Sequence, residues 1–575
     1  MKQEAQIIET DVLVVGGGSA ALWAAIRAKD FCPRVTLADK GMVASSGVSP
    51  LIHIVNAPLN EEEQRLSLQE IVERSTYLCD QKQVSILMRE LGDRFRDMEK
   101  MGVPFERDAA GKLVLEKRLG QKNHYCAFVN GREMSQVMRR HALDKGVQLV
   151  ERVMVVDLLT SDGRHPTRGR VTGALGLNTV TGDLFVFRAK AVILGTGLIG
   201  SKYYVSYTNG LTGDGQAMAF RAGADVVGHE YGQMSMFNIW ERKFNTGGQA
   251  EYMRAGARIL NSMGENIAEK YSPDKKASSF DRNTLSVMAA KEVYEGRGPI
   301  RFDLTHLNDG DMAQLRRVLP SAMKAFEEEG IDLQRKPVEC TPYHTYFHAA
   351  GVKVGLNSEA SLTGLYAAGS TTGGTGTTAS GGLSQAHCFV SGYRAGEAAG
   401  RLAMEVPQGD VREEQVKELS RETFSPLERV KGPRPEDIYT AINRVSLPLG
   451  MSFFKHEKRM KTTLQEIARV RDEELPRIKA DDVHGLVKAN EARNFVPLTE
   501  IYYCCSLERK ESRCGQYRED YPYRDDVEWL KWIVARREEK GMALRYEPVP
   551  LDSYPFRPAQ RLKIPVPIPV SPPAG

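Results

Sequence analysis

"IIETDVLVVGGGSAALWAAIRAKDFCPRVTLADK", residues 7–40, reads as a βαβ unit. A β-rich run from Ile8 to Val15 enters a glycine-rich turn, a helix-prone stretch follows, and a second strand is expected at Val35–Ala38. The turn carries a dinucleotide fingerprint as Gly16-x-Gly18-x-x-Ala21, and an acid, Asp39, ends the second strand. Gly16 permits the tight turn, and Gly18 lets backbone approach a pyrophosphate at the helix N-terminus. Ala21 allows close helix–strand packing, and Asp39 can accept a ribose hydroxyl. Ser19 and Ala20 in the first helical turn, with Lys40, Ser46 and Gly47 after the second strand, complete this part of the expected cofactor site.

The bulk properties narrow the rest. At 575 residues the chain is long enough for about three or four domain-sized units, fewer if one is discontinuous in sequence. A formal charge of +4 with both signs interspersed gives no reason to expect nucleic acid as a partner. The eight cysteines form no C-x-x-C and no iron–sulfur spacing, so they read as reduced cytosolic thiols in a chain without a cluster or metal of its own. The opening residues contain no apolar signal core. The longest apolar run, "AVILGTGLIG", is broken by glycine and falls short of the roughly 18 residues a span requires. A cytoplasmic protein without direct membrane insertion is expected.

Two further segments distinguish FAD from NAD. In "AVILGTGLIGSKYYVSYTNGLTGDGQAMAFRAGA" (191–224) a buried strand runs into Gly195-Thr196-Gly197, and "TGDG", containing Asp214, precedes a helix. In "GLYAAGSTTGGTGTTASGGLSQAHCFVSGYRAGEAAG" (364–400) a strand leads through glycine-rich chain into a small-residue helix. With the first unit these resemble the flavoprotein subunits of the succinate dehydrogenase and fumarate reductase superfamily, and by motif the alpha subunit of adenylylsulfate reductase most. The resemblance extends to about residue 535. Relatives carry a pattern like R-x-ESRG-x-H-x-R-x-DYP-x-RDD, matched by Arg509, Glu511-Ser512-Arg513, Arg518, Asp520-Tyr521-Pro522 and Arg524-Asp525-Asp526, with Cys514 and Gln516 replacing the usual Gly and His. By composition alone 508–526, with five basic and six acidic residues, would be a solvated helix face. The resemblance implies instead that its arginines and carboxylates fix a helical domain against the flavin domain.

The implied fold is α/β: a Rossmann-like FAD-binding domain (1–233 and 345–405), an inserted α+β capping domain (234–344) and a C-terminal helical domain (406–535). An extended Pro-rich tail is expected over 536–575. "REEQVKELSRETFSPLERV" and "MKTTLQEIARVRDEELPRI" show helical apolar spacing interrupted by proline.

The resemblance also implies hydride transfer between a small-molecule substrate and flavin N5, with electrons exchanged with an iron–sulfur, ferredoxin-like partner. Arg282 falls at the family's proton-exchanging arginine; read locally, it is a helix-surface arginine paired with Asp281. His344 and His348 bracket the position of a family histidine. Gly369, Ser370, Gly381, Gly382, Ser384 and Gln385 are expected around the flavin ring, where a Gly-Gly turn opening a helix aims N–H groups at developing negative charge.

The dicarboxylate-binding pattern is altered. Gln233 and Ser235 stand near the family's histidine, Ala379 replaces the arginine before Gly-Gly, and Glu251 keeps the acid of a Thr-Glu pair. An unpaired substrate carboxylate is costly in a dry site, so succinate and fumarate are not expected substrates. Gly41 stands where covalent enzymes carry the flavin-linking histidine, which implies non-covalent FAD. An oxygen-using oxidase and a non-catalytic FAD-bearing scaffold are the alternative readings.

Overall fold

The computed structural model describes residues 5–57, 60–117, 122–123, 125–200, 202, 210–240, 244–246, 249–273, 280, 282–345, 350–375 and 383–566. At 233, 237–240, 244–246, 249, 282 and 343–345 it describes the backbone.

Alternating β-branched and small apolar residues build the first layer. Strands Gln6–Val15, Val35–Asp39, Gln148–Glu151 and Leu184–Leu194 run parallel, with Gln6–Val15 between Val35–Asp39 and Leu184–Leu194. The far edge of Leu184–Leu194 is shared: its first half pairs antiparallel with Val171–Asn178, and its last residues pair parallel with Leu365–Ala367. Strand positions buried on both faces read as near-continuous apolar runs, as parallel sheets require. Helix Ser19–Ala28 packs against Leu383–Glu405 through small residues: a Cβ at Gly392 would meet Ala20 O at 2.4 Å, and one at Gly396 would meet Ala24 O at 2.3 Å. Backbones this close exclude side chains, which accounts for the glycine–alanine composition of 392–400.

A second, antiparallel sheet lies between Gln233 and Thr345, with helices Arg282–Tyr294, Asp309–Val318 and Pro320–Glu328 around it. Its core also takes in Phe128 from the first domain and Phe453, Phe454 and Tyr517 from the C-terminal part, so this cap is clasped from two sides. Helices Glu413–Glu428, Pro435–Ser446, Glu457–Arg469 and Val483–Glu508 follow, the first and last each accommodating a proline, Pro426 and Pro497.

The expectation of an extended tail from 536 needs correction. Lys531–Glu538 and Gly541–Pro548 form a β-hairpin that turns at Gly541, whose φ is +122°. Its first strand pairs with Val226–Val227, which in turn pairs with Gly351–Val352, so the hairpin completes a sheet of the first domain. Ile533, Val534 and Ala535 are buried there. Farther on, Lys563–Pro565 pairs with Tyr523–Asp525. The burial of this strand pair depends on Val226–Val227, remote in the chain. Among the described residues no helix is long and apolar enough to cross a membrane.

Candidate functional site

One cavity of about 1970 Å³ runs from the fingerprint turn to the cap. Ordinary ligand pockets reach about 1,000 Å³, so this one has room for more than a single small molecule.

At its first end the glycines are there for close approach. A Cβ at Gly16, φ +115°, would sit 2.3 Å from Gly195 O, and one at Gly17 would lie 2.9 Å from the Asp39 carboxylate. Gly18 is the N-cap of Ser19–Ala28 and has no side chain to cap it, and the helix N-terminus faces the cavity. Ser19 N donates to Ser49 Oγ at 3.0 Å, and Gln385 Nε2 donates to Ser19 Oγ at 2.7 Å, latching the helix Leu383–Glu405 to the turn. Asp39 accepts from Gly41 N at 2.8 Å and Ser46 Oγ at 2.9 Å, both on Oδ1, which fixes the carboxylate and leaves Oδ2 toward Gly17.

Lys40 donates to Asp214 at 2.9 Å, Glu491 at 3.0 Å and Thr212 at 2.7 Å. Glu491 also receives Lys202 at 2.6 Å and Lys488 at 3.2 Å. Burial opposes the charges here, but the ion pairs overrule it: Lys40 is held above and Glu491 below the ordinary range. Lys202 goes the other way, its burial lowering it to about 8 despite Glu491.

Gly16, Gly18, Ser19, Ala20, Asp39, Lys40, Ser46, Gly47, Thr196, Gly197, Asp214, Ser370, Ser384 and Gln385 all line this one cavity. Ala21 lies behind it against Gly195, and Gly369, φ +62°, donates its N–H to Ser391 Oγ at 2.8 Å while packing on Ala20. Gly381, Gly382 and His348 lie outside the described residues, as does Ala379.

The cap contributes Ser235 and Glu251. Glu251 is buried, with Arg254 3.5 Å away. Gln233 and His344 sit on paired strands, His344 opposite Met234 and Gln233 opposite Thr345, and their side chains are outside the description. Arg282 is the first residue of its helix, with its side chain likewise outside. The next turn, Asn283, Thr284 and Val287, lines the cavity, and Asn283 Oδ1 accepts from Met234 N at 3.3 Å.

Residues 509–526 close the opposite side. Arg509 bonds Glu230 at 2.9 Å and Glu511 at 2.8 Å; Arg513 bonds Glu511 at 2.8 Å, Asp526 at 2.9 Å and Thr76 O at 2.7 Å. All five charged groups are buried, while Arg513, Cys514, Gln516 and Arg524 reach the cavity. Ser49 and Glu491 escaped sequence reasoning. Neither belongs to a local pattern, and Glu491 meets Lys40 across 451 positions of chain. Among the described residues there is no group of acids, histidines and cysteines that could hold a metal ion.

Comparison with known proteins agrees with this architecture. The family described as FAD binding domain matches residues 11–384, and the one described as fumarate reductase flavoprotein C-term matches 448–563. The chain is 28% identical to a fumarate reductase (CoM/CoB) chain of Methanothermobacter marburgensis, over 93% of this chain and 98% of the relative. It is 26% identical to the succinate dehydrogenase flavoprotein subunit of Rickettsia conorii, over 94% and 95%. Among solved structures it shares its fold with an E. coli quinol fumarate reductase chain (TM-score 0.87, 23% identity, 97% of this chain and 99% of that one). It also shares it with adenylylsulfate reductase from Archaeoglobus fulgidus (TM-score 0.80, 21% identity, 95% and 97%).

Proposed function

We propose, given that the chain belongs to the FAD binding domain family and carries the fumarate reductase flavoprotein C-terminal region, that it is a flavoprotein whose substrate is neither succinate nor fumarate. It is an FAD-dependent oxidoreductase of the succinate dehydrogenase and fumarate reductase family. The cradle fits the cofactor: close-approach glycines and a helix N-terminus that faces the cavity suit a pyrophosphate, and an anchored carboxylate suits a ribose. When bound, FAD supplies the acceptor or donor of a hydride. Gly41 has no side chain through which FAD could be linked, so the flavin is held non-covalently and leaves the protein on acid precipitation.

The observation that carries the substrate reading is that most of the cavity's cations are already committed. Lys40 is held by Asp214 and Glu491, Arg317 by Glu106, Arg513 by Glu511 and Asp526, and Arg524 by Asp526. A small dianion entering beside Arg317 or Arg524 meets guanidinium groups already paired, and its desolvation goes largely unrepaid; the lysines around Glu491, which outnumber their acids, stand at the fingerprint end of the cavity. Arg282 is assigned the proton exchanged at the substrate carbon, with His344 or His348 polarising the substrate. Electrons then pass to a separate iron–sulfur protein, because the chain's cysteines lack cluster spacing.

The test is to reduce the bound flavin anaerobically and add fumarate or adenylylsulfate while following the oxidised-flavin absorbance. Fumarate is expected to leave it unchanged, and rapid reoxidation by fumarate would overturn the reading. Arg282→Ala should lower turnover with the true substrate by about 10²–10⁴-fold at unchanged flavin content; normal turnover would remove Arg282 from the mechanism.

A further inference from the structure

The cavity's arm toward the cap has a different character from the flavin cradle. Ile52, Phe105 and Phe128 form one wall, knitted by backbone: Ile54 pairs with Phe128, Phe105 bridges Val129, and Gly131 N donates to Ile52 O at 3.0 Å. The other wall is Leu319 and the helix Pro320–Glu328. That helix buries Met323 and Phe326 in the cap core and turns Ala322 and Ala325, one turn apart, into the cavity. Leu51, 59% exposed, also lines the cavity.

The arginines of the arm are paired. Arg317 lies 4.9 Å over the Phe128 ring and pairs with Glu106 at 2.6 Å and with Glu116. Glu116 also holds Arg254 at 2.5 Å, and Arg254 lies 3.5 Å from Glu251, so two arginines face three carboxylates and neither arginine is left unpaired. A charged ligand group placed here would lose hydration and find these arginines already paired, whereas an apolar group would cover apolar wall.

We propose that the substrate carries an uncharged apolar arm, of aryl or branched-alkyl size, which lies between Phe105 and Phe128 on one side and Ala322 and Ala325 on the other. This rests on the functional reading above and adds the chemical class of the substrate's non-reacting part. The reacting end lies toward the flavin, and the arm points out beneath Leu319.

The holoprotein is titrated with two ligand pairs that differ only in a phenyl group, succinate against phenylsuccinate and acrylate against cinnamate, following perturbation of the oxidised flavin spectrum. The phenyl-bearing member is expected to bind at least about tenfold more tightly in one pair or both. Ala325→Phe, which fills the arm, should abolish that advantage while flavin content stays as in the parent; Ala322→Phe, on the same helix face, serves if the first variant does not fold. No advantage in either pair, including no binding by any of the four, overturns the proposal, as does an advantage that survives the filled arm. Turnover of succinate or fumarate would instead overturn the functional reading, and the comparison within each pair would still decide the arm.

Discussion

Two clusters of charge join distant parts of this chain: one keeps its carboxylates dry and meets water only at its edge, through Arg524, and the other opens to the cavity at its lysines. Around Arg509 and Arg513, the carboxylates of Glu230, Glu511 and Asp526 are sealed, each side chain at most 1% exposed. Around Glu491, three lysines converge on one acid, and Lys40 keeps a quarter of its side chain in contact with solvent at the cavity. In the dry cluster the hydrogen bonds to backbone, from Arg509 to Trp529 O and Lys531 O and from Arg513 to Thr76 O, leave few groups unsatisfied. Such a cluster holds domains in register. The wet one has surplus positive charge and a titratable Lys202, and lies at the cavity. Ion pairs alone thus do not distinguish structure from function; access of water does.

The comparison fails first at Arg509. Arg509→Ala leaves Glu230 and Glu511 buried beside a missing cation, and unfolding in urea should show a loss of about 3–5 kcal/mol. A loss below about 1 kcal/mol would mean the cluster is not sealed. A buried histidine whose described partner is a neutral hydroxyl gives the next effect. His387 bonds Thr372 Oγ1 at 2.9 Å, and burial lowers it to about 4. The unfolded chain takes up this proton near pH 6.5 and the folded chain only near 4. Stability present above 6.5 is therefore lost as the pH falls, by about 1.4 kcal/mol per unit and about 3 kcal/mol across the window. His387→Gln should remove that share of the slope in pH-dependent denaturation, and identical slopes would disprove it.

Lys40→Ala should cost less, about 1–2 kcal/mol in holoprotein stability, because Lys202 and Lys488 remain on Glu491 and solvent screens the site. FAD should be released more readily from the variant in equilibrium dialysis. Arg168, paired with Glu539 while 86% exposed, marks the other limit: Arg168→Ala should leave the denaturation midpoint where it is.

Much of the cofactor end was legible because its rules are local. Gly16, Gly18 and Ala21 recur at fixed spacing within one βαβ unit, and Asp39 follows at the end of the next strand, although the atoms that crowd them, Gly195 and Ser49, lie elsewhere in the chain. The strand expected to end at Ala38 continues through Asp39, a difference of one residue. The hairpin Lys531–Pro548 straddles the expected boundary between helical domain and tail at 535/536, because its partner strand, Val226–Val227, is only two residues long and remote. A signal was available in "EEKG", a turn between two alternating runs. Ser49 and Glu491 left no signal, since a hydroxyl in a loop and an acid within a long helix are ordinary there.

That this chain builds a dinucleotide cradle can be read from its residues in order, since steric demands at adjacent backbone atoms are written in neighbouring positions. Which charges are buried and which meet water emerges only once the chain has folded. So does the identity of the cations already neutralised, and the place where an apolar arm opens beneath the cap. Those properties are set by solvent exclusion, which depends on surfaces brought together from chain hundreds of residues apart.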